Sequence, residues 1–399
     1  MEWEDDSVLA DGHVLAFDKA MALEPVERLV IFLTGAIRKG PRAVTRMDQI
    51  AVLFVLVVPE PPHDGARTGL GPLRCGEVAG RVNGGGDLIA AVVAAGRKLR
   101  SARQLQANDL PHRGTHWVPI EYASVGDHPR TVLLVHGAGG GFNQAMGFVP
   151  ALNAAGFRAV LMSRFGYLRT PLPEDASAEA QADAHACLLD ALGIAKASIL
   201  GASAGAPSTL QFAIRHPDRT EAVILLVPAS YAPKPEGLAQ IEAPASTAIV
   251  FDTALRMDFL FWAAIKTMPS VLTKALLATD PKLVAAAEPA EKGRAEQMLA
   301  SILPVSPRRL GLVNDGKVTS TIGRYDFERV VAPTLAISAA DDLFGTYDIA
   351  RYTSEQIPHA RFVGFPDGGH IWIGHDAEML GLVTSFLTSV APTAREAAQ

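Results

Sequence analysis

The sequence predicts an α/β fold, a mostly parallel central sheet with helices on both faces. Three observations carry that prediction. Strands apolar along their whole length, such as RTVLLVHG at 130–137 and EAVILLVP at 221–228, alternate with segments of helical spacing. Such runs suit parallel strands covered on both faces, and the alternation is that of βαβ units. The pattern breaks once, over 231–330, and resumes at PTLAIS, 333–338.

Taken in order, HWVPIEYASVG at 116–126 reads as a strand pair and RTVLLVHG as the third strand. FNQAMGFVPALNAAGF (142–157) has helical spacing, and RAVLMSRFG (158–166) returns to strand. A long helix over AEAQADAHACLLDALG (178–193) leads to the short strand ASILG (197–201) and the helix APSTLQFAIRHP (206–217). EAVILLVP is then the sixth strand and PTLAIS the seventh. A largely helical, proline-punctuated insertion lies between them. YDIARYTSEQI (347–357), ARFVGF (360–365) and a last helix from Asp376 complete the pattern. In that helix Met379, Val383, Phe386 and Val390 share a face, and Asp376 is the expected N-cap.

The expected domains are therefore a core of 111–230 with 331–399, and a helical cap of 231–330. Residues 1–110 stand apart. AVLFVLVV (51–58) is stopped by Pro59, and 59–86 is dense in Pro, Gly and Arg and reads as linker or disorder. DLIAAVVAAGRKLRSARQLQ (87–106) reads as a surface helix, with peripheral membrane association through this segment as the other reading.

Composition narrows the function. The 399 residues are 49% hydrophobic and 20% charged, with a net charge of −6, so no basic excess is available for nucleic acid. No run reaches the roughly 18 apolar residues of a membrane span. The opening MEWEDDSVLADG is acidic where a secretory signal is basic. Cys75 and Cys187 are too few for a disulfide framework or a metal site and suit a reducing compartment, so the expected location is cytoplasmic. No metal is expected: His112 and His116 lie in a Pro/Gly segment, and no H-E-x-x-H occurs. Oligomeric state leaves no mark on the sequence.

The chemistry starts at LGASAGAP, 200–207, where Ser203 stands in a G-x-S-x-G frame between a strand and a helix. A serine on such a strained turn projects above the strand ends, and only small residues fit two positions either side of it. Ser208, one turn into the helix, is expected to be structural. A serine hydroxyl needs a base, and the base needs an orienting carboxylate. His370 follows a strand in GFPDGGH, and His375 is less favoured because it borders the last helix. SAADD places Asp341 and Asp342 at the preceding strand end, and chemistry alone does not choose between them. The glycine-rich turn HGAGGG at 136–141 offers backbone donors for an oxyanion, with Ala138 and Ala204 as the expected pair and Gly137 and Gly139 beside them. The same turn fits a dinucleotide poorly. GAGGGF lacks the third glycine of G-x-G-x-x-G, and the next strand ends in SRFG without an acid for a ribose. No cofactor is expected.

From about 115 to 392 the chain resembles the α/β-hydrolase superfamily, through HGAGGG, GASAGA, SAADD and GGH in that order. The resemblance implies Ser203, Asp342 and His370 as triad, with Asp341 in reserve, and a helical cap lining the substrate pocket. Phe251, Met257, Phe259, Phe261, Trp262 and Met268 would be the apolar candidates there. The expected reaction is hydrolysis of a small to medium apolar ester through an acyl-enzyme on Ser203. A C–C bond hydrolase or a lactonase would use the same residues. An epoxide hydrolase or dehalogenase needs a carboxylate in place of Ser203. A ligand-binding protein on this scaffold is the reading from another class, and it would place no demand on all three triad residues.

Overall fold

The computed structural model describes residues 118–233 and 255–390, together with two strands near the start of the chain. The chain divides into two compact units, Met1–Gly71 and Pro72–Gln399. In the first, β1 (Leu29–Leu33) and β2 (Val52–Leu56) pair antiparallel, with Leu29 opposite Leu56. The linker expected over 59–86, the helix expected over 87–106, and Phe251 lie outside the described residues.

The second unit is built on seven strands: β3 (Tyr122–Val125), β4 (Arg130–Val135), β5 (Phe157–Met162), β6 (Ala197–Ala202), β7 (Thr220–Leu226), β8 (Thr334–Ala339) and β9 (Ala360–Phe365). Their order is β3-β5-β4-β6-β7-β8-β9, with β3 antiparallel and every other pairing parallel. Where a strand pair is expected over 116–126, the described residues form only β3. The strands read as sixth and seventh are thus the fifth and sixth of this sheet.

Alternation along each strand builds two cores. On β4, Leu133 and Val135 face one side, with Val160 and Met162 of β5. The helices α2 (Ala178–Ala191) and α3 (Ala206–Arg215) cover that side with Leu188, Leu189, Leu210 and Phe212. Val132 and Leu134 face the other side, covered by α1 (Val149–Ala154) and the last helix. Fully burying each such side chain contributes about 1.5–3 kcal/mol before chain entropy is subtracted, so strand ends bearing polar residues are held by a rigid slab.

Among the described residues five helices lie between β7 and β8: α4 (Asp258–Thr267), α5 (Pro269–Leu276), α6 (Pro281–Ala286), α7 (Pro289–Ser301) and α8 (Arg309–Ser320). The prolines that punctuate this stretch begin α5, α6 and α7, where a missing N–H costs no helical bond. After β8 come α9 (Thr346–Gln356) and, after β9, α10 (Asp376–Ser389). In α10 the fully buried stripe is Met379, Val383 and Leu387, and Phe386 and Val390 pack at its margin. His375, not Asp376, holds the N-cap position, because the Asp376 carboxylate accepts the Trp372 indole N–H at 3.0 Å. Cys187 lies on α2 and is disulfide-bonded. No described helix is long and apolar enough to cross a membrane.

Candidate active site

Ser203 sits between β6 and α3 with φ of +49°, a left-handed conformation that a non-glycine residue adopts only when its surroundings enforce it. The enforcement is steric. A Cβ on Gly205 would lie 2.6 Å from the Val135 carbonyl oxygen and 2.7 Å from that of His136, and one on Gly201 would collide with Thr209. The close approach of β4, β6 and α3 therefore admits only glycine at these two places. The Gly205 carbonyl is further tied down by the Ser208 and Thr209 hydroxyls, at 3.2 and 3.0 Å. Behind Ser208 stands His185, fully buried, 3.1 Å away through Nε2. Burial lowers its pKa to about 3, with Arg164 adding to the shift, so it is a neutral part of the scaffold. The Ser208 hydroxyl is thus engaged by His185 and the Gly205 carbonyl.

Three side chains line up from there. Ser203 Oγ lies 2.9 Å from His370 Nε2, and His370 Nδ1 lies 2.7 Å from Asp342 Oδ2. His370 comes from the turn after β9 and Asp342 from the end of β8. Asp342 also accepts from the Phe344 amide at 2.9 Å and from the Thr346 hydroxyl, so both of its oxygens are fixed. Asp341 turns elsewhere. Its Oδ1 accepts the Gly369 amide at 2.7 Å and holds the turn that carries His370. The two adjacent acids are separated by direction, one toward the ring and one toward its backbone.

The four amides expected around the oxyanion are not equivalent. The Gly137 amide donates to Gln144 Oε1 at 2.8 Å, and the Gly139 amide donates to the Tyr167 hydroxyl at 3.2 Å. Both are already engaged, which corrects their place among the candidate donors. Among the described residues, the amides of Ala138 and Ala204 meet no protein acceptor. Ala204 lies in the first turn after Ser203, where a helical N–H has no intrahelical acceptor.

The glycine-rich loop has its own anchor in His136. Its Nδ1 bonds the Gly137 carbonyl at 2.7 Å while Nε2 accepts the Arg164 amide at 2.9 Å, which sets the tautomer. Burial, then the Arg164 charge, holds this imidazole well below the usual histidine range, and it stays neutral.

The insert helices reach the same loops. Leu277, Ala295 and Leu299 pack with Ile371 and Ile373 beside the histidine turn, and the Ala278 carbonyl accepts the Leu343 amide at 3.0 Å. Arg294 donates to the Ile371 carbonyl at 2.8 Å, and its partner Glu291 accepts the Gly374 amide at 3.0 Å. His375 stacks on Phe365 and bonds Asp367 at 3.0 Å, away from the serine. Of the apolar candidates, Phe261 is buried within the insert, while Phe259 and Trp262 stack on each other at 71% and 46% exposure. Met268 is also exposed. Among the described residues, an aromatic ring that the sequence does not single out, Phe344, lies edge-on to His370 with ring centres 4.9 Å apart. Arg164, Tyr167, Asp315, Arg308 and Arg294 likewise escape a reading of the sequence. The one available signal is an arginine and a tyrosine in SRFGYLR immediately after an apolar strand. Among the described residues no group of His, Cys, Asp and Glu is arranged to hold a metal ion.

A serine on a tight turn after a central parallel strand, with an aspartate and a histidine at the ends of the last two strands, defines a class of fold. The chain belongs to the alpha/beta hydrolase fold family, whose model matches residues 130–374. It is 27% identical over 264 residues to the 2-hydroxy-6-oxononadienedioate/2-hydroxy-6-oxononatrienedioate hydrolase of Paraburkholderia xenovorans, covering 63% of this chain and 84% of that protein. To the 2-hydroxy-6-oxo-6-phenylhexa-2,4-dienoate hydrolase of Burkholderia cepacia it is 28% identical over 264 residues, covering 60% and 80%. Among solved structures, an alpha/beta hydrolase fold protein from Nakamurella multipartita matches with a TM-score of 0.53 at 27% identity, covering 68% of this chain and 96% of that one.

Proposed function

We propose that this chain is a serine-dependent hydrolase of small molecules that cleaves a carbon–carbon bond beside a ketone. The observation that carries the serine chemistry is the unbroken line from Ser203 through His370 to Asp342, with the Ala138 and Ala204 amides unengaged beside it. The likeness to two dienoate hydrolases moves the preferred substrate from an ester to a C–C bond.

In this reading His370 Nε2 takes the Ser203 proton as Oγ bonds to the ketone carbon, and the carbonyl electrons move to oxygen. The two amides hold that oxyanion; in well-studied cases one such donor contributes about 3–4 kcal/mol. Asp342 stabilises the imidazolium across its bond to Nδ1. When the intermediate collapses the C–C bond breaks, and its electron pair passes to a carbon conjugated with a second carbonyl. His370 returns the proton to that carbon. Water then adds to the acyl-enzyme with His370 as base, and Ser203 leaves with its proton restored. Residues 231–330 act as the cap over a core of 111–230 and 331–399, with Phe259 and Trp262 as candidate pocket residues.

A second reading, cleavage of small to medium apolar esters, is favoured by the apolar groups near the triad, Phe344 foremost. The same residues serve, with an alkoxide as the leaving group. A fluorophosphonate probe on wild type and Ser203→Ala tests the shared step. Parallel turnover of p-nitrophenyl esters of increasing chain length and of 2-hydroxy-6-oxo-6-phenylhexa-2,4-dienoate separates the two. A dienoate kcat/KM at least about tenfold above the best ester supports C–C cleavage, and the reverse supports the esterase. Labelling of Ser203→Ala, or a labelled wild type that turns over neither class, defeats both.

A further inference from the structure

The loop that carries the proposed oxyanion donor Ala138 is held by residues far from it in sequence, and the catalytic meaning of that grip rests on the serine-hydrolase reading above. The peptide groups of Gly139, next to Ala138, are gripped from both sides. Its N–H donates to the Tyr167 hydroxyl at 3.2 Å, and that hydroxyl donates to Asp315 Oδ2 at 2.5 Å. Its carbonyl accepts from Arg308 Nε at 3.1 Å. Asp315 lies on α8 and Arg308 immediately before it, so both grips are anchored in the insert.

The anchors are built to stay in place. Asp315 is buried and receives both terminal nitrogens of Arg164 at 2.7 Å, while Arg164 Nε donates to the His136 carbonyl at 2.9 Å. Charge-assisted bidentate pairs of this kind are the most directional contacts a protein offers. Arg308 is buried too, and besides Gly139 it donates to Asn143 Oδ1 at 3.2 Å and to the Pro304 carbonyl at 3.0 Å. None of these three acceptors is a carboxylate. Its guanidinium therefore bridges one end of the loop to the other instead of forming an ion pair. The helix itself rests backbone to backbone on the loop after β5. The Gly311 amide donates to the Gly166 carbonyl at 2.9 Å, and a Cβ on Gly166 would lie 2.5 Å from the Gly311 nitrogen. Pro307 O accepts the Leu168 amide at 2.8 Å, and Asn314 donates to the Ala176 carbonyl at 3.0 Å.

We propose that α8 and the residue before it are a positioning device for the oxyanion hole: Asp315, through Tyr167, and Arg308 lock the Gly139 peptide and thereby aim the Ala138 amide. The insert then has a catalytic consequence separate from covering the substrate. An amide displaced by about 1 Å loses on the order of 10²-fold in rate while ground-state binding is little changed.

The test uses the full-length chain and the variants Tyr167→Phe, which removes only the hydroxyl, and Arg308→Met, with the exposed Asp348→Asn as control. Hydrogen exchange of the peptide spanning 136–143 is read by mass spectrometry alongside p-nitrophenyl butyrate kinetics and inhibition by a boronic acid, which forms a tetrahedral adduct on serine. The expected result is faster exchange in that peptide for both variants and not for the control. With it come a kcat lowered about 10²-fold, a KM within about twofold, and boronate affinity falling in step with kcat/KM. Exchange unchanged in both variants, or a raised KM with kcat intact, overturns the proposal. Loss of melting temperature without loss of boronate affinity also overturns it, since a merely structural role predicts that pattern. Wild-type protein that resists fluorophosphonate defeats the serine-hydrolase reading and with it the catalytic consequence, whereas the exchange data still decide the clamp. The two failures are therefore distinguishable.

Discussion

Replacing Asp342 by asparagine isolates the electrostatic part of the site, because the new side chain has the same shape. Its magnitude follows from the geometry. The imidazolium that the proposed reaction forms on His370 faces a carboxylate oxygen at 2.7 Å, on a residue that is 6% exposed. At an effective dielectric constant of about 20 that attraction is roughly 6 kcal/mol. Asparagine removes it and adds a tautomer problem. Both carboxylate oxygens accept from donors, the Phe344 amide on one and the Thr346 hydroxyl and His370 on the other. An amide NH2 placed toward His370 forces the ring into the form that carries its proton on Nε2, which cannot accept from Ser203. In serine triads studied elsewhere the same exchange lowers kcat about 10⁴-fold, about 5.5 kcal/mol, so the two figures agree. Asp341→Asn differs, since an amide oxygen still accepts the Gly369 N–H, and the expected loss is below about tenfold. The assay is the second-order rate of fluorophosphonate labelling, which needs no knowledge of the physiological substrate. Asp342→Asn retaining more than about a tenth of the wild-type rate, or Asp341→Asn losing as much as Asp342→Asn, refutes the assignment.

The remaining expectations concern scaffold and stability. Gly205→Ala forces a Cβ against the Val135 and His136 carbonyls. It should cost about 1–3 kcal/mol in urea unfolding, with labelling of Ser203 slowed in the same protein. Arg294→Gln loosens the histidine turn at the Ile371 carbonyl and should lower kcat about tenfold at constant KM, read by steady-state kinetics. Stability should fall with acid. His185 takes up a proton far less readily folded, at a pKa of about 3, than unfolded, near 6.5, so the unfolded chain binds the extra proton as pH drops below 6.5. That single residue contributes a loss of about 2 kcal/mol between pH 7 and pH 5, and His185→Gln should remove that part of the slope in urea titrations. Glu291 acts in the same direction at lower pH. Burial opposes its charge, but the bonds from Arg294 and Gly374 prevail and keep its carboxyl below the ordinary range, so its contribution is lost as pH falls through that lowered value.

Legibility in the sequence followed the range of the constraint. Ser203 was readable because its neighbours at 201 and 205 answer a local steric demand that shows in five consecutive letters. The sheet was readable because β4 and β7 are buried on both faces and so cannot hide their composition. Asp341 and Asp342 were not separable by any local rule, since adjacent residues with the same chemistry differ only in what each side chain meets. The engagement of the Gly137 and Gly139 amides depended on Gln144 and Tyr167, and the exposure of Phe259 and Trp262 depended on how the insert helices pack.

By itself the sequence determined the alternation of strands and helices from β4 onward, the tight turn at Ser203, and the residue types that follow it, because these rest on backbone sterics and on burial along single elements. Tertiary structure alone decided which acid faces His370, which amides remain for an oxyanion, and that Asp315, 151 positions from Arg164, anchors the loop beside them. Those outcomes are contacts between distant segments. They arise only when the sheet and the insert bring the chain back upon itself.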